Sequence, residues 1–315
     1  MDGKAYRILS VDGGGYRGAF AANVLKNIEI RFGIDWKSEF NLMAGTSTGS
    51  IIAAALAVGK NAVEVAKFYD DYGEAIFPKQ SLWQRCSHFF GIRKSRYDSS
   101  VLQKLLEEVF GSITLGQVGF PLFIPATNIE TGTTFVMKTS YAQFLRDANF
   151  SLVDAILASC AAPIYFKPHE FGDHFLADGG LWANNPTLMA MIEAKFRLNQ
   201  DIDKVKVLSI GTGRCITRYT RTENPACRGW GAATWGVGML ELILNLQSIH
   251  TENMINLLFG NSQSVPNVAP NVLRIDFENS RNIPLDQPKY KQELAGIACD
   301  EVTRASDRIQ QFFEL

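Results

Sequence analysis

Histidine is scarce in this 315-residue chain: only His88, His169, His174 and His250 are present, and none sits in a late loop of the kind that supplies the base of an α/β-hydrolase. Cysteine is sparse too. Cys86, Cys160, Cys215, Cys227 and Cys299 are odd in number and scattered, with no CxxC pair and no metal-ligand spacing. That argues against a disulfide framework or a zinc site and suits a reducing compartment. Long apolar runs are missing. The longest, IIAAALAVG from Ile51, is far too short to span a bilayer, and the N-terminal MDGKAYRILSVDGGG lacks an apolar signal core. The expectation is a cytoplasmic protein that meets any membrane from its aqueous side, at the inner face. Charge of one sign is absent as well. With 31 basic and 32 acidic residues the formal net charge is -1, so no global field draws the chain to DNA, RNA or anionic lipid. No repeat, low-complexity tract or Gly/Ser linker divides it, so one domain over residues 1–315 is expected.

What is present is 46% hydrophobic and 20% charged, arranged as strands alternating with helices. Tyr6 to Val11 (YRILSV) reads as a short buried strand, after which the glycines of DGGGYRG turn the chain sharply. Ala19 to Phe32 has apolar residues at helical spacing and stops near Gly33. NLMAGTSTGSIIAAALAVG repeats the pattern of strand, small-residue turn and buried helix. Leu122 to Ala126 and Thr133 to Lys138 read as strands joined by a turn at Glu130 to Gly132. Lys206 to Ile210 is another, ending at Gly211-Thr212-Gly213, and Val272 to Phe277 is the last. This order predicts an α/β fold: a mostly parallel central sheet, helices on both faces, and function at the strand-to-helix turns. Two stretches, Trp83 to Arg96 and Arg214 to Trp235, break the rhythm and read as insertions.

Gly45-Thr46-Ser47-Thr48-Gly49 is a G-x-S-x-G between a short strand and a small-residue helix. Glycines at the flanks let strand and helix approach closely, and the turn lifts the serine hydroxyl above the sheet at a helix N-terminus, where the dipole favours developing negative charge. A bland alternative is an N-capping serine in a glycine-rich turn. Asp12-Gly13-Gly14-Gly15-Tyr16-Arg17-Gly18 is a second strand-to-helix turn and contains G-x-G-x-x-G. A dinucleotide site would need an acidic residue ending the next strand, about twenty positions on. That strand ends in the serine turn instead, and Asp35 lies in a loop before it. The alternative is an oxyanion hole. Amides of Gly13, Gly14 and Gly15 can converge on one oxygen because no side chains intervene, with Arg17 lending charge or bracing the loop.

A nucleophilic serine needs a base. His169 and His174 flank a turn just before Asp178-Gly179-Gly180, so a Ser–His arrangement is one option. Asp178 itself follows a short apolar strand (HFLAD), although an aspartate beside glycines is also an ordinary turn former.

Taken in order, DGGGYRG, GTSTG and DGG closely resemble the three signature blocks of the patatin-like phospholipase family. The similarity runs from about Tyr6 to Gly213 and includes Ala161-Ala162-Pro163, Asn184-Asn185-Pro186 and Ser209 to Gly213. The resemblance implies a patatin-like three-layer sandwich, with catalytic blocks within about residues 6–213 and a mainly helical part at 230–315. It also implies a Ser–Asp dyad without histidine. On that pattern Ser47 is the nucleophile in an elbow flanked by Gly45 and Gly49, and Asp178 the base in a motif with Gly179 and Gly180. The oxyanion loop is Gly13, Gly14 and Gly15, with Arg17 and Gly18 in the same block. No metal or cofactor is implied, and the substrate is the acyl ester of a membrane phospholipid. The chain further resembles the bacterial branch of cyclic-nucleotide-activated effectors of anti-phage (CBASS) systems. That branch implies an activating cyclic di- or trinucleotide and degradation of the inner membrane.

Two basic clusters are candidates for a nucleotide or a lipid headgroup. One is Arg85, Arg93, Lys94 and Arg96, with Phe89 and Phe90 interleaved; the other includes Arg214 and Arg218, beside Tyr219 and Trp230. Solvated surface loops are the plain alternative. Trp235 to Phe259 is apolar at helical spacing and reads as core, as a contact between protomers of a homo-oligomer, or as a lid. Rival functions are a constitutive lipid acyl hydrolase without nucleotide control, a soluble esterase or thioesterase, a storage protein with incidental hydrolase activity, and a nucleotide-binding domain without catalysis.

Overall fold

The computed structural model describes residues 5–79, 94–215, 235, 238–259 and 271–315. The strands, in chain order, are β1 (Tyr6–Val11), β2 (Leu42–Gly45), β3 (Leu122–Asn128), β4 (Thr133–Lys138), β5 (His169–Phe171), β6 (His174–Asp178), β7 (Val205–Ile210), β8 (Arg214–Cys215), β9 (Val272–Ile275) and β10 (Glu278–Asn279). The main sheet runs β5-β6-β3-β2-β1-β7-β9, with β4 also paired to β3, while β8 and β10 form a small separate ladder. From β3 to β9 the neighbours are parallel. At the other end β4, β5 and β6 add antiparallel pairs, so the sheet is mixed. The reason is local. β3 to β4 and β5 to β6 are hairpins, with Gly132 and Gly172 in the left-handed region at φ 66° and 54°.

The helices are α1 (Gly18–Phe32), α2 (Trp36–Glu39), α3 (Thr48–Ala57), α4 (Ala62–Ile76), α5 (Ser99–Phe110), α6 (Leu152–Ser159), α7 (Gly180–Ala183), α8 (Thr187–Phe196), α9 (Gly238–Leu258), α10 (Lys291–Arg304) and α11 (Ser306–Phe313). Alternation along β1 assigns the two faces. Leu9 and Val11 enter the larger core with α1, α3, α4 and α10, whereas Ile8 joins Val205, Val207 and Met191 of α8 on the opposite side. The outcome is the expected three-layer α/β sandwich. The alanine-rich α3 is buried along its whole length, which explains why its sequence shows no polar stripe. Among the described residues, no helix is long and apolar enough to cross a membrane.

One feature of the topology builds the site. β4 occupies one edge of β3 along its length, so β2 and β6 share the other edge. β2 pairs with Leu122 and Phe123 and then leaves at Gly45; β6 takes over at Ala126 to Asn128 from the opposite direction. The end of β2 and the end of β6 therefore meet, and with them Ser47 and Asp178.

Candidate active site

Ser47 sits at φ 53° and ψ -125°, a left-handed conformation that a non-glycine residue adopts only when its surroundings impose it. The surroundings are tight. An ideal Cβ on Gly45 would stand 2.1 Å from the Gly49 carbonyl oxygen, and one on Gly49 would stand 2.2 Å from the Val11 carbonyl oxygen. The turn is further pinned by polar contacts. The Ser47 amide donates to Ser159 Oγ at 2.9 Å, Ser159 Oγ donates to the Pro125 carbonyl at 2.6 Å, and Ser50 Oγ donates to the Ser47 carbonyl at 2.6 Å. Thr46 Oγ1 donates to the Ala183 carbonyl at 2.7 Å, tying the elbow to the helix that follows the aspartate.

Asp178 ends β6, only 4% exposed. Its amide donates to the Ala161 carbonyl at 3.0 Å, and the Gly180 amide donates to its Oδ1 at 2.7 Å. Burial pushes the Asp178 carboxyl up to about 7, against the opposing pull of hydrogen bonds from the Ser47 hydroxyl and the Gly180 amide. A carboxylate normally too weak to deprotonate a serine thus becomes a competent acceptor near neutrality. Cys160 lies beside the same hydroxyl, but burial drives its thiol pKa far upward and keeps it protonated.

The glycine loop enters from the end of β1. Gly15 adopts φ 56°, and an ideal Cβ on Gly14 would fall 2.2 Å from Thr212 Oγ1, which itself donates to the Gly13 carbonyl at 2.6 Å. The strand end Ser209 to Gly213 is therefore the platform on which the loop rests. The amides divide. Gly13 donates to the Asn184 carbonyl at 3.0 Å, whereas the Gly14 and Gly15 amides have no acceptor among the described residues and line the pocket that holds Ser47. This corrects the sequence expectation for Gly13, whose donor is engaged elsewhere. It also corrects Gly18. Its amide closes the turn onto the Gly15 and Tyr16 carbonyls, and its α-carbon packs against Thr48, so it is a close-packing glycine of α1 rather than an oxyanion donor. The buried Arg17 extends to the Ile283 carbonyl at 3.5 Å, which supports the bracing role rather than direct charge on the anion.

Above this polar floor the pocket is apolar, with about 810 Å³ of empty space including its open mouth. Phe68, Phe77, Leu102 and Phe166 line one part, and Leu240 and Leu244 of α9 another. Such a container suits a hydrocarbon chain whose carbonyl end reaches a few polar groups. α9 is thus a wall of the site. Its inner residues Leu240, Ser248, Thr251 and Ile255 are buried, while Met239, Leu246, Ile249 and Leu257 remain exposed.

The histidine alternative does not fit. His169 Nε2 bonds Asp154 Oδ1 at 2.9 Å, and the His174 ring packs against Phe135 with centroids 4.6 Å apart. Of the basic candidates, Arg85, Arg93 and Arg218 lie outside the described residues. Lys94 is exposed on a groove it shares with Lys79, Arg96 and Lys167, and Arg96 also pairs with Asp286 at 3.3 Å. Arg214 must be corrected: although partly exposed, its guanidinium pairs with Glu252 and lies 3.5 Å from Asp276, so carboxylates of its own chain already engage it.

Sequence reasoning missed a buried network behind the loop. Arg274 grips both oxygens of Asp12 at 2.8 and 2.7 Å and also reaches Ser209, Asp276 and Glu252. Burial raises the Asp12 carboxyl to about 6 even though Arg274 pulls it back. Only a basic residue two positions before an aspartate in the last predicted strand hinted at this.

The chain belongs to the patatin-like phospholipase family, whose model matches residues 9–191. It is accordingly a lipid acyl hydrolase. It is 34% identical over 259 residues to a cGAMP-activated phospholipase of Pseudomonas aeruginosa, spanning 82% of this chain and 76% of that protein. A cGAMP-activated phospholipase of Vibrio cholerae is 32% identical over 308 residues, spanning 89% of this chain and 85% of the relative. The crystal structure of VipD from Legionella pneumophila shares the fold, with a TM-score of 0.50 at 14% identity over 97% of this chain and 67% of VipD.

Proposed function

We propose that this enzyme cleaves the acyl esters of membrane glycerophospholipids with Ser47 as nucleophile and Asp178 as its only base. Asp178 takes the hydroxyl proton as Ser47 Oγ attacks the carbonyl carbon, and the Gly14 and Gly15 amides receive the oxyanion. Expulsion of the lysolipid oxygen, with the proton returned from Asp178, leaves an acyl-enzyme that water then hydrolyses. The observation that carries this reading is the buried carboxyl of Asp178, raised to about 7 and lining the same pocket as a serine held in a left-handed elbow.

A second layer concerns control. The bacterial relatives are named for activation by cGAMP, which supports a cyclic di- or trinucleotide as the switch for this chain too. On this reading the enzyme is an antiviral effector that degrades the inner membrane once the nucleotide appears. Lys94 and Arg96, on the basic groove, are the proposed contacts for nucleotide or headgroup phosphate.

The test is fatty-acid release from phosphatidylglycerol vesicles by wild type, Ser47→Ala and Asp178→Asn, each with and without cyclic dinucleotides. Retained hydrolysis in either variant removes the dyad. Full wild-type activity that no nucleotide changes removes the switch.

A further inference from the structure

A buried acceptor next to the proposed dyad is left without a donor. Asn184 is 5% exposed, lines the same pocket as Ser47 and Asp178, and its Oδ1 accepts no hydrogen bond among the described residues. Leaving a buried acceptor unsatisfied is costly, so a group that persists in this state points to a donor supplied by a ligand.

The direction of the amide follows from its neighbours. Asp12, chelated by Arg274, is an acceptor only, and the Ser248 hydroxyl gives it its one proton at 3.2 Å from Oδ2. Ser248 Oγ can then only accept, and it does so from Asn184 Nδ2 at 3.1 Å. This relay turns the nitrogen of the amide toward α9 and its oxygen toward the catalytic pocket. Turning the amide over would set an oxygen against an oxygen whose proton is already given away.

Two glycines keep the space in front of that oxygen clear. An ideal Cβ on Gly180 would stand 2.7 Å from Leu244 Cδ2 on the apolar side, and 3.0 Å from Asp178 Oδ1 and 3.2 Å from Asn184 Oδ1 on the polar side. One on Gly13 would stand 2.5 Å from Asn184 Oδ1 and 3.3 Å from Ser47 Cβ. The carboxylate oxygen and the amide oxygen thus lie against the same side of Gly180, close enough for one small molecule to bridge them.

We propose that Asn184 Oδ1 and Asp178 together hold the water that hydrolyses the acyl-enzyme. The inference rests on the Ser47–Asp178 reading and deepens it. One O–H of the water points to Asp178 and the other to Asn184 Oδ1, which aims a lone pair at the acyl carbon. The water oxygen bonds to that carbon as its first proton passes to Asp178, and the oxyanion forms toward the Gly14 and Gly15 amides. The carbon–Oγ bond then breaks, Asp178 returns the proton to Ser47 Oγ, and the fatty acid leaves with the second water proton. A carboxylate alone can take a proton from many directions; a second acceptor selects one.

The test uses p-nitrophenyl butyrate with the full chain and follows nitrophenol release in a stopped-flow instrument alongside intact-protein mass. For Asn184→Ala, a burst of one equivalent at near wild-type rate is expected, then turnover slowed about a hundredfold, with a butyryl adduct that Ser47→Ala lacks. Ser248→Ala frees the amide to turn over and gives a smaller change of the same kind; it decides the matter if Asn184→Ala does not fold. Equal slowing of burst and turnover, or adducts that clear at the wild-type rate in both variants, overturns the role of Asn184 alone. Failure of the wild type and every variant to acylate Ser47, with cyclic nucleotides present as well as absent, overturns the dyad itself.

Discussion

Ser159 accepts the amide proton of Ser47 at 2.9 Å and is fully buried, so the backbone of the proposed nucleophile is held by a side chain 112 positions further along the chain. Its own proton goes to the Pro125 carbonyl, which anchors the elbow to β3. Ser159→Ala leaves both backbone groups buried and unpaired. Thermal unfolding should report a loss of about 1–3 kcal/mol, and fluorophosphonate labelling of Ser47 should slow as the elbow relaxes. Unchanged stability and labelling would show that the anchor is dispensable.

The raised carboxyl of Asp178 gives activity a pH signature. It must be ionised to accept a proton, so acyl-ester hydrolysis should be lost as pH falls through about 7. A profile flat from pH 5 to 8 would contradict the assignment.

Stability should move the opposite way. The folded value of about 7 exceeds the ordinary 3.8, so the folded state holds this proton more tightly than the unfolded chain does. The contribution of Asp178 therefore falls as pH rises from about 4 to about 7, by on the order of 4 kcal/mol. Asp178→Asn should be inactive yet more stable than wild type at pH 8, with the gap closing toward pH 4. Denaturant unfolding of both proteins across that range measures it.

Arg274 faces three carboxylates, and its removal strands Asp12 in the interior. Arg274→Met should cost about 3–5 kcal/mol at pH 8. Because unpaired Asp12 must then be protonated to remain buried, the penalty should shrink at pH 5.5. Melting temperatures of the two proteins at those two pH values give the comparison.

Gly14 has no room for a methyl group, with Thr212 Oγ1 only 2.2 Å from where it would sit. Gly14→Ala should lower kcat on p-nitrophenyl butyrate by about a hundredfold or more through displacement of the oxyanion donors, with a far smaller change in KM. Equal changes in both constants would mean that the loop binds substrate rather than stabilising charge.

The parts of this site that could be read in advance are those built from neighbouring residues. The elbow announces itself because Gly45, Ser47 and Gly49 must be close in sequence to make one turn, and the glycine loop does so for the same reason. YRILSV was legible as a buried strand, but which of its residues face which layer was not. The turn at Glu130 to Gly132 announced the β3–β4 hairpin, but the antiparallel pairing of β6 was not legible, because β3 and β6 look the same whichever direction their partner runs. Ser159, Arg274 and Ser248 were invisible for a different reason. Each acts on a partner more than a hundred residues away, and apart from Asp276 two positions after Arg274 nothing in the local sequence marks them. The division of labour among Gly13, Gly14 and Gly15 likewise depends on a carbonyl of Asn184 that no spacing reveals.

The shared edge of β3 makes catalytic alignment a property of ladder pairing rather than of loop length. Asp178 is placed because it pairs with Ala126, and Thr127 Oγ1 clamps its carbonyl at 2.8 Å. Sliding β6 by one residue would send the carboxylate through to the far side of the sheet. The turn between β5 and β6 can therefore change length over evolutionary time without disturbing this alignment, whereas one insertion within Leu176 to Asp178 would break it.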